Sequence, residues 1–396
     1  VELPKELDDL NFAYMSKGQV NGEIKQGPED FIVNEIDVKG AVVDENYVPE
    51  ESEGEFCVFV LRKRDYATDM AIRRLAKFLH ITPKRFGYAG MKDRKAITAQ
   101  LISIFAMRPE RLANVQAADI EVLNPRKAAA GLRLGDLAGN RFRIRVAGKD
   151  SSVSGIEKQL NGLFPNYFGE QRFGNARSCN HKIGYLLLKG RYEDAVKMYL
   201  AETGGEGDPR TVNARKALAE TWDFAQAFSD FPAYRAHERM LLNHLKDNPN
   251  DYINAMRMLP KFTRIIFIHA LQSFIFNTEV SERIREGALE PEEGERRCGM
   301  GQYGFLDSEK EGNGPVAANL IGHNSETTER ENRLLGMLGI AKEEFRNRSM
   351  PEMTCKGDKR AMLAPYLGFA EDGEWLVFSL GSGCYATSLL REFLKR

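Results

Sequence analysis

Ala89-Gly90-Met91-Lys92-Asp93-Arg94-Lys95-Ala96-Ile97-Thr98 sets one carboxylate among three cations, just past a glycine and directly before a stretch with strand character, Ile97 to Phe105. Nearby positive charge favours the ionised form, so the pattern predicts a depressed pKa for Asp93. A carboxylate kept ionised serves as nucleophile or base better than as acid. The plainer reading is a charged turn ahead of a strand, and residue pattern alone favours it.

Working outward, residues 62–95 hold eleven basic side chains against Asp65, Asp69 and Asp93. Tyr66, Phe78, Phe86 and Tyr88 are interleaved with them. Cations neutralise phosphates and flat rings stack on unpaired bases, so this stretch suits RNA. A solvated basic helix face would look the same. A second basic run, Arg126 to Lys149, has seven basic residues against Asp136 and tips the reading towards RNA. Within the first stretch Ile72, Leu75, Ala76 and Leu79 make an apolar helical stripe, with Thr68 or Asp69 as its cap. Arg73, Arg74 and Lys77 fall on its polar face and are candidates for phosphate contact. Thr82-Pro83 reads as a second helix start.

Strand patterns also occur at 30–36, 55–60, 142–146 and 374–380, and helical ones at 151–164 and 387–395. From about residue 190 the texture turns helical and acidic, then reverts near 373. Strands, a mostly helical middle and one more strand suggest a domain inserted into another. The chain is 396 residues, 42% apolar and 29% charged, enough for two or three domains at about 150 residues each. Its formal charge of −1 excludes a polybasic protein but hides a segregation: the first 190 residues carry 29 basic and 25 acidic side chains. A polyanion would therefore dock on part of the surface.

Five scattered cysteines without a C-x-x-C, and six histidines without metal-ligand spacing, predict free thiols and no metal site. Val1 to Leu10 carries five charges, unlike a signal peptide, and the apolar run Ile265 to Phe276 is interrupted by His269, Gln272 and Ser273 and is too short to span a bilayer. The expectation is a soluble cytoplasmic protein with no membrane association. Gly299-Met300-Gly301-Gln302-Tyr303-Gly304 spells a dinucleotide fingerprint, but it reads as loop on both sides rather than strand then helix, so nucleotide binding is not expected there.

Asn166-Tyr167-Phe168-Gly169-Glu170-Gln171-Arg172-Phe173-Gly174 is the other dense segment. Amide and guanidinium groups supply hydrogen bonds, two glycines allow close backbone approach, and three rings supply stacking surface. It suits a loop that grips a planar base, or an ordinary aromatic-anchored surface loop.

The chain resembles the TruD family of tRNA pseudouridine synthases. The resemblance rests on four segments in the family's order: Lys25 to Glu35, Ala89 to Thr98, Asn166 to Gly174, and Gly383-Cys384-Tyr385-Ala386-Thr387-Ser388-Leu389-Leu390-Arg391-Glu392. It implies an α+β fold, a pseudouridine synthase catalytic domain with a mixed sheet and flanking helices, interrupted by a family-specific α/β insertion. The expected division is 1–190 and 359–396 for the catalytic domain and 191–358 for the insertion. Position by position, Asp93 matches the catalytic aspartate and Lys25 the lysine that pairs with it. Phe31, Asn166 and Tyr385 match substrate-contacting positions, and Phe168 the ring expected against the target base. Leu380-Gly381-Ser382 stands where the family often has Leu-Pro before the glycine, and Tyr385 where some members have phenylalanine.

What the resemblance implies is isomerisation of a tRNA uridine, uridine 13 of the D arm in family members, without cofactor or metal; the oligomeric state is not read from the sequence, and a monomer is the default expectation. The bond from ribose C1′ to N1 breaks and is remade to C5 without net redox change. An ionised carboxylate can attack C1′ or C6 or remove a proton from C2′, and the residues do not choose among these or name the base that takes the C5 proton. The alternative from another class is a non-catalytic tRNA-binding or RNA-folding protein that uses Asp93 only as an ion-pair partner. A metal-dependent nuclease would need clustered carboxylates, and none lie near the basic stretch.

Overall fold

The chain has twelve strands among its described residues: β1 (Phe31–Ile36), β2 (Phe56–Arg64), β3 (Phe86–Tyr88), β4 (Ile97–Phe105), β5 (Ile120–Ala128), β6 (Gly139–Arg145), β7 (Leu163–Pro165), β8 (Arg296–Met300), β9 (Leu306–Leu320), β10 (Asp358–Ala361), β11 (Leu363–Asp372) and β12 (Trp375–Gly381). The structure is a computed structural model that describes residues 2–112, 115, 117–174 and 177–395. Nine strands form one mixed sheet in the order β5-β2-β4-β1-β6-β12-β11-β7, with β3 added to β4. β1 and β4 run parallel; their other neighbours are antiparallel. β10, β9 and β8 form a second sheet.

Two compact units divide the chain. The sheet unit comprises Met15–Asn166, Cys298–Gly314 and Leu363–Arg396, and the helical unit Val1–Tyr14, Tyr167–Arg297 and Pro315–Met362. These cuts fall elsewhere than 190 and 358, because Phe173, Cys179, Ile183 and Leu186 bury their side chains in the core of the helical unit.

Alternation of side chains builds the sheet unit in layers. Cys57, Phe59 and Leu61 of β2 meet Ala71, Ile72, Leu75 and Leu79 of the helix Thr68–Leu79, while Val58 and Val60 pack with Val43, Ala99 and Leu101. The predicted helical stripe is thus the face that is buried. Further along the sheet, Phe31, Phe142, Ile144 and Phe378 share a core with Leu389, Leu390 and Phe393 of the helix Ala386–Leu394.

Several segments fold otherwise than their patterns predict. The helical pattern at 151–164 ends early: the helix is Ser154–Leu160, Asn161 and Gly162 turn with positive φ, and β7 follows. Thr82-Pro83 opens one 3-10 turn, Pro83–Arg85, and not an α-helix. Gly299 and Met300 end β8 and the chain turns through Gln302–Gly304 into β9, so strands stand where loop was expected, although no α-helix follows and the dinucleotide context stays absent. β5 and β11 escaped notice because each carries strand-breaking residues. Pro125 is tolerated because β5 is an edge strand, and Gly368 (φ 60°) sits at a register shift of β11.

The helical unit packs around the 26-residue helix Lys261–Glu286. The polar residues that interrupt its apolar run satisfy local partners: Gln272 donates to the Ile321 carbonyl at 2.8 Å and Ser273 to the His269 carbonyl at 2.7 Å. Among the described residues no helix is long and apolar enough to cross a membrane.

His181 gives this unit a pH dependence. It is fully buried, its Nε2 lies 2.8 Å from the Leu7 carbonyl, and burial pushes its pKa down to about 4. The folded state therefore holds it neutral while the unfolded chain takes up a proton below about pH 6.5. Its contribution is present above that pH and is lost as pH falls towards 4, by on the order of 3 kcal/mol. Urea unfolding at pH 7 and pH 4.5 should show this loss, and His181→Gln should flatten it. An equal pH dependence in the variant would assign it to other groups.

Candidate active site

Strand register explains why Lys25 and Asp93 meet. In the parallel pair Ile32 lies beside Ile97, so the residues ahead of β1 and those ahead of β4 emerge at one end of the sheet. Lys25 precedes β1 and Asp93 precedes β4. Lys25 Nζ stands 3.4 Å from Asp93 Oδ2 and 4.0 Å from the centroid of the Phe31 ring. Phe31 itself is 1% exposed, its edge against Phe142. Structurally it is a floor: its ring face holds the ammonium by cation–π attraction, which restricts where the lysine can go. The Asp93 side chain is 36% exposed, open enough to meet a substrate.

Buried polar side chains hold the loop that carries Asp93. Gln100 donates to the Gly90 carbonyl at 2.9 Å and accepts from Thr68 Oγ1 at 3.0 Å; that hydroxyl in turn accepts from Lys92 N–H at 3.1 Å. Thr68 is therefore not the helix cap: the N-cap is Ala67 and the threonine hydroxyl, turned inward, serves the loop. Lys92 Nζ pairs with Glu35 at 2.7 Å, both side chains almost wholly buried. Glu35 also accepts from Leu101 N–H at 3.2 Å, and its burial pushes the carboxyl above the usual range against the pull of Lys92. Lys63 Nζ donates to the carbonyls of Tyr66 at 2.5 Å and Asp93 at 2.9 Å.

The basic stretch consequently splits. Lys63 and Lys92, two of its eleven cations, point inward and cannot meet phosphate. Arg62 pairs with Glu121, and Arg64 with Glu29 and Asp119. Arg73, Arg74 and Lys77 are exposed on the helix Thr68–Leu79, though Arg74 also reaches the Tyr66 hydroxyl and lies over its ring.

Asn166 ends the sheet unit, buried, directly after β7. Tyr385 precedes the helix Ala386–Leu394 and follows β12, whose last residue pairs with Gly139, opposite Ile36. The chain thus leaves β12 at the end of β1 remote from Phe31. Phe168 belongs to the helical unit. Its backbone is clamped by Asn277, which accepts from its N–H at 2.9 Å and donates to its carbonyl at 3.0 Å. Its ring is 8% exposed, edge-on to Phe276, with the Arg360 guanidinium 4.2 Å from its centroid. A planar ring with a planar cation over it lines a cleft shared with Arg172, His269, Gln272 and Lys356.

Arg360 and Gln100 carry no local sequence signal, Thr68 reads as a helix cap, Glu35 lies in the first family segment without a role, and Lys63 is one cation among the eleven of residues 62–95. A lysine in the apolar alternation of β2 was the available signal.

The family model for tRNA pseudouridine synthase D (TruD) matches residues 9–393. A Methanosarcina mazei protein named "Probable tRNA pseudouridine synthase D" is 33% identical, covering 100% of this chain and 98% of its own. Proteins of the same name from Methanopyrus kandleri and Thermococcus onnurineus are 36% identical over 86% of both chains and 34% identical over 97% of both. A solved TruD structure from Methanosarcina mazei aligns with a TM-score of 0.78 and 33% identity, covering 100% of this chain and 99% of that one. The α+β fold, a mixed sheet with flanking helices, is that of this structure, and the chain belongs to the tRNA pseudouridine synthase D (TruD) family.

Proposed function

We propose that this protein isomerises uridine 13 in the D arm of tRNA to pseudouridine, with Asp93 as the catalytic carboxylate and Lys25 as its partner. The observation that carries this is the Lys25–Asp93 pair at the end of the parallel β1–β4 strands, half open to solvent on a loop otherwise tied to buried side chains. Lys25 sets an ammonium 3.4 Å from that carboxylate. In the reaction the C1′–N1 bond breaks, a C1′–C5 bond forms, and the proton leaving C5 is balanced by one at N1. A uridine in folded tRNA must first leave its stack, at a cost of a few kcal/mol. Phosphate contacts and stacking, about 1–3 kcal/mol per base, offset this.

The sheet unit is read as the pseudouridine synthase domain and the helical unit as the insertion. Phe31 acts through Lys25. Asn166 and Tyr385 are assigned to substrate by the motifs they occupy, and Phe168, with Arg360 over its face, to stacking on tRNA. Two transcripts test the target: one with uridine at position 13 and one with cytidine there. Tritium from C5-labelled uridine should be released in excess from the first, and the cytidine transcript should yield no product at that position. Equal release from both would overturn the assignment to position 13.

Arg73, Arg74 and Lys77 are read as phosphate contacts. Replacing all three with alanine should weaken tRNA binding and flatten its log–log salt dependence by up to about 0.7–0.9 per lost contact. An unchanged slope in filter binding would return that helix face to solvent.

A further inference from the structure

Lys63 is a charged side chain in a place that selects against charge. It lies in β2, paired with Thr98 of β4 and Ile120 of β5, and is 1% exposed. Among the described residues it makes no ion pair. Its ammonium is spent on two backbone carbonyls, those of Tyr66 at 2.5 Å and Asp93 at 2.9 Å. An apolar side chain of similar length would fill the same space without the cost of desolvating an ammonium. What it could not do is hold the Asp93 carbonyl.

The loop from Ala89 to Ala96 is anchored elsewhere by Gln100 on the Gly90 carbonyl, Thr68 on the Lys92 N–H, the buried Lys92–Glu35 ion pair, and Asp65 N–H on the Ala96 carbonyl at 3.1 Å. Asp93 sits between these anchors, and Lys63 fixes its peptide. We propose that Lys63 is the positioning residue of the catalytic carboxylate, holding the Asp93 carbonyl from beneath so that the side chain leaves the loop towards Lys25 and the substrate. The proposal rests on the reading of Asp93 as the catalytic residue. Lys63 touches neither substrate nor reacting atoms.

Charge is part of the device. Burial draws the Lys63 pKa down to about 8, with the Asp93 carboxylate pulling it up and the Lys92 ammonium pushing it down. Lys92 is in turn paired with Glu35, and Asp93 with Lys25. Near pH 8 the ammonium under Asp93 therefore begins to lose its charge. The amine that remains still has two hydrogens for two carbonyls, so the loop stays folded while those bonds lose their charge assistance and are weakened.

Single-turnover kinetics on wild type, Lys63→Met, Lys63→Arg and Asp93→Asn, from pH 6.5 to 9.5, test this, with tRNA Kd and thermal melting measured alongside. A misplaced carboxylate costs rate, so Lys63→Met should lower kcat roughly 10- to 100-fold while Kd moves less than about threefold. Wild-type kcat should decline above about pH 8, and Lys63→Arg, permanently charged, should lose that decline. A Lys63→Met enzyme with wild-type kcat, or one in which only KM rises, overturns the proposal. If Lys63→Met does not fold, Lys63→Gln, whose shorter side chain should not reach the Asp93 carbonyl, is read in its place, and a wild-type kcat in that variant overturns the proposal. An active Asp93→Asn would instead remove the underlying reading. An inactive Asp93→Asn beside an unimpaired Lys63→Met would remove the positioning role alone.

Discussion

Asp93→Asn is expected to abolish tritium release from C5-labelled uridine tRNA, by at least about a thousandfold, while filter binding of the same tRNA changes little. Asparagine keeps the size of the side chain and can accept from Lys25 Nζ, which in the wild type stands 3.4 Å from Oδ2. It cannot act as an anionic nucleophile or base. The loop anchors do not involve the carboxylate, since Lys63 holds the Asp93 backbone and not its side chain. The fold should therefore survive, and binding should report that it has. Substantial turnover in the variant would remove Asp93 from the chemistry, and a parallel loss of tRNA binding would recast it as a structural residue.

Lys92→Met is expected to produce the largest loss of stability among single changes near the site, about 3–5 kcal/mol. Lys92 and Glu35 form an ion pair at 2.7 Å with side chains only 3% and 1% exposed, so removing the lysine strands a carboxylate in the core. The reversal should also be visible: Lys92→Met with Glu35→Gln removes the stranded charge and retains an oxygen for the Leu101 N–H, so it should recover much of the loss. The sign of the pH effect follows from Glu35, whose burial already pushes its carboxyl upward. With Lys92 gone that rise grows, and the deficit should shrink as pH falls towards the unfolded value near 4.5. Urea unfolding in a Trp222→Phe background, where Trp375 of β12 remains to report on the sheet unit, measures it. A deficit below about 1 kcal/mol would mean that water or a neighbouring group rescues Glu35.

Legibility followed periodicity. The helix Thr68–Leu79 buries one face and β6 alternates, while β2 and β4 are buried along most of their length and rich in β-branched and aromatic residues, as is β12, so these elements show in the residues. β5 and β11 do not, because an edge tolerates Pro125 and a bulge uses Gly368. The Lys25–Asp93 encounter was available through the family motifs, but its cause was not. It needs the parallel register Ile32 beside Ile97, which joins segments 65 residues apart and leaves no local trace. Composition misleads in the opposite direction. Lys63 and Lys92 look like surface cations in the sequence, although one lies on an inward strand position and the other has Glu35 beside it. Phe168 offered a ring to the eye, while its companion Arg360 lies 192 residues along the chain and only folding brings them together.

Whether pseudouridine in tRNA is made at a carboxylate on the Ala89–Ala96 loop is decided by a chemical map of pseudouridines, read along unmodified tRNA after incubation with purified wild-type and Asp93→Asn protein. The expected result is one new pseudouridine, at position 13, with wild-type protein and none with the variant. No pseudouridine anywhere in tRNA that wild-type protein demonstrably binds, or the same pseudouridine made by both proteins, would contradict it.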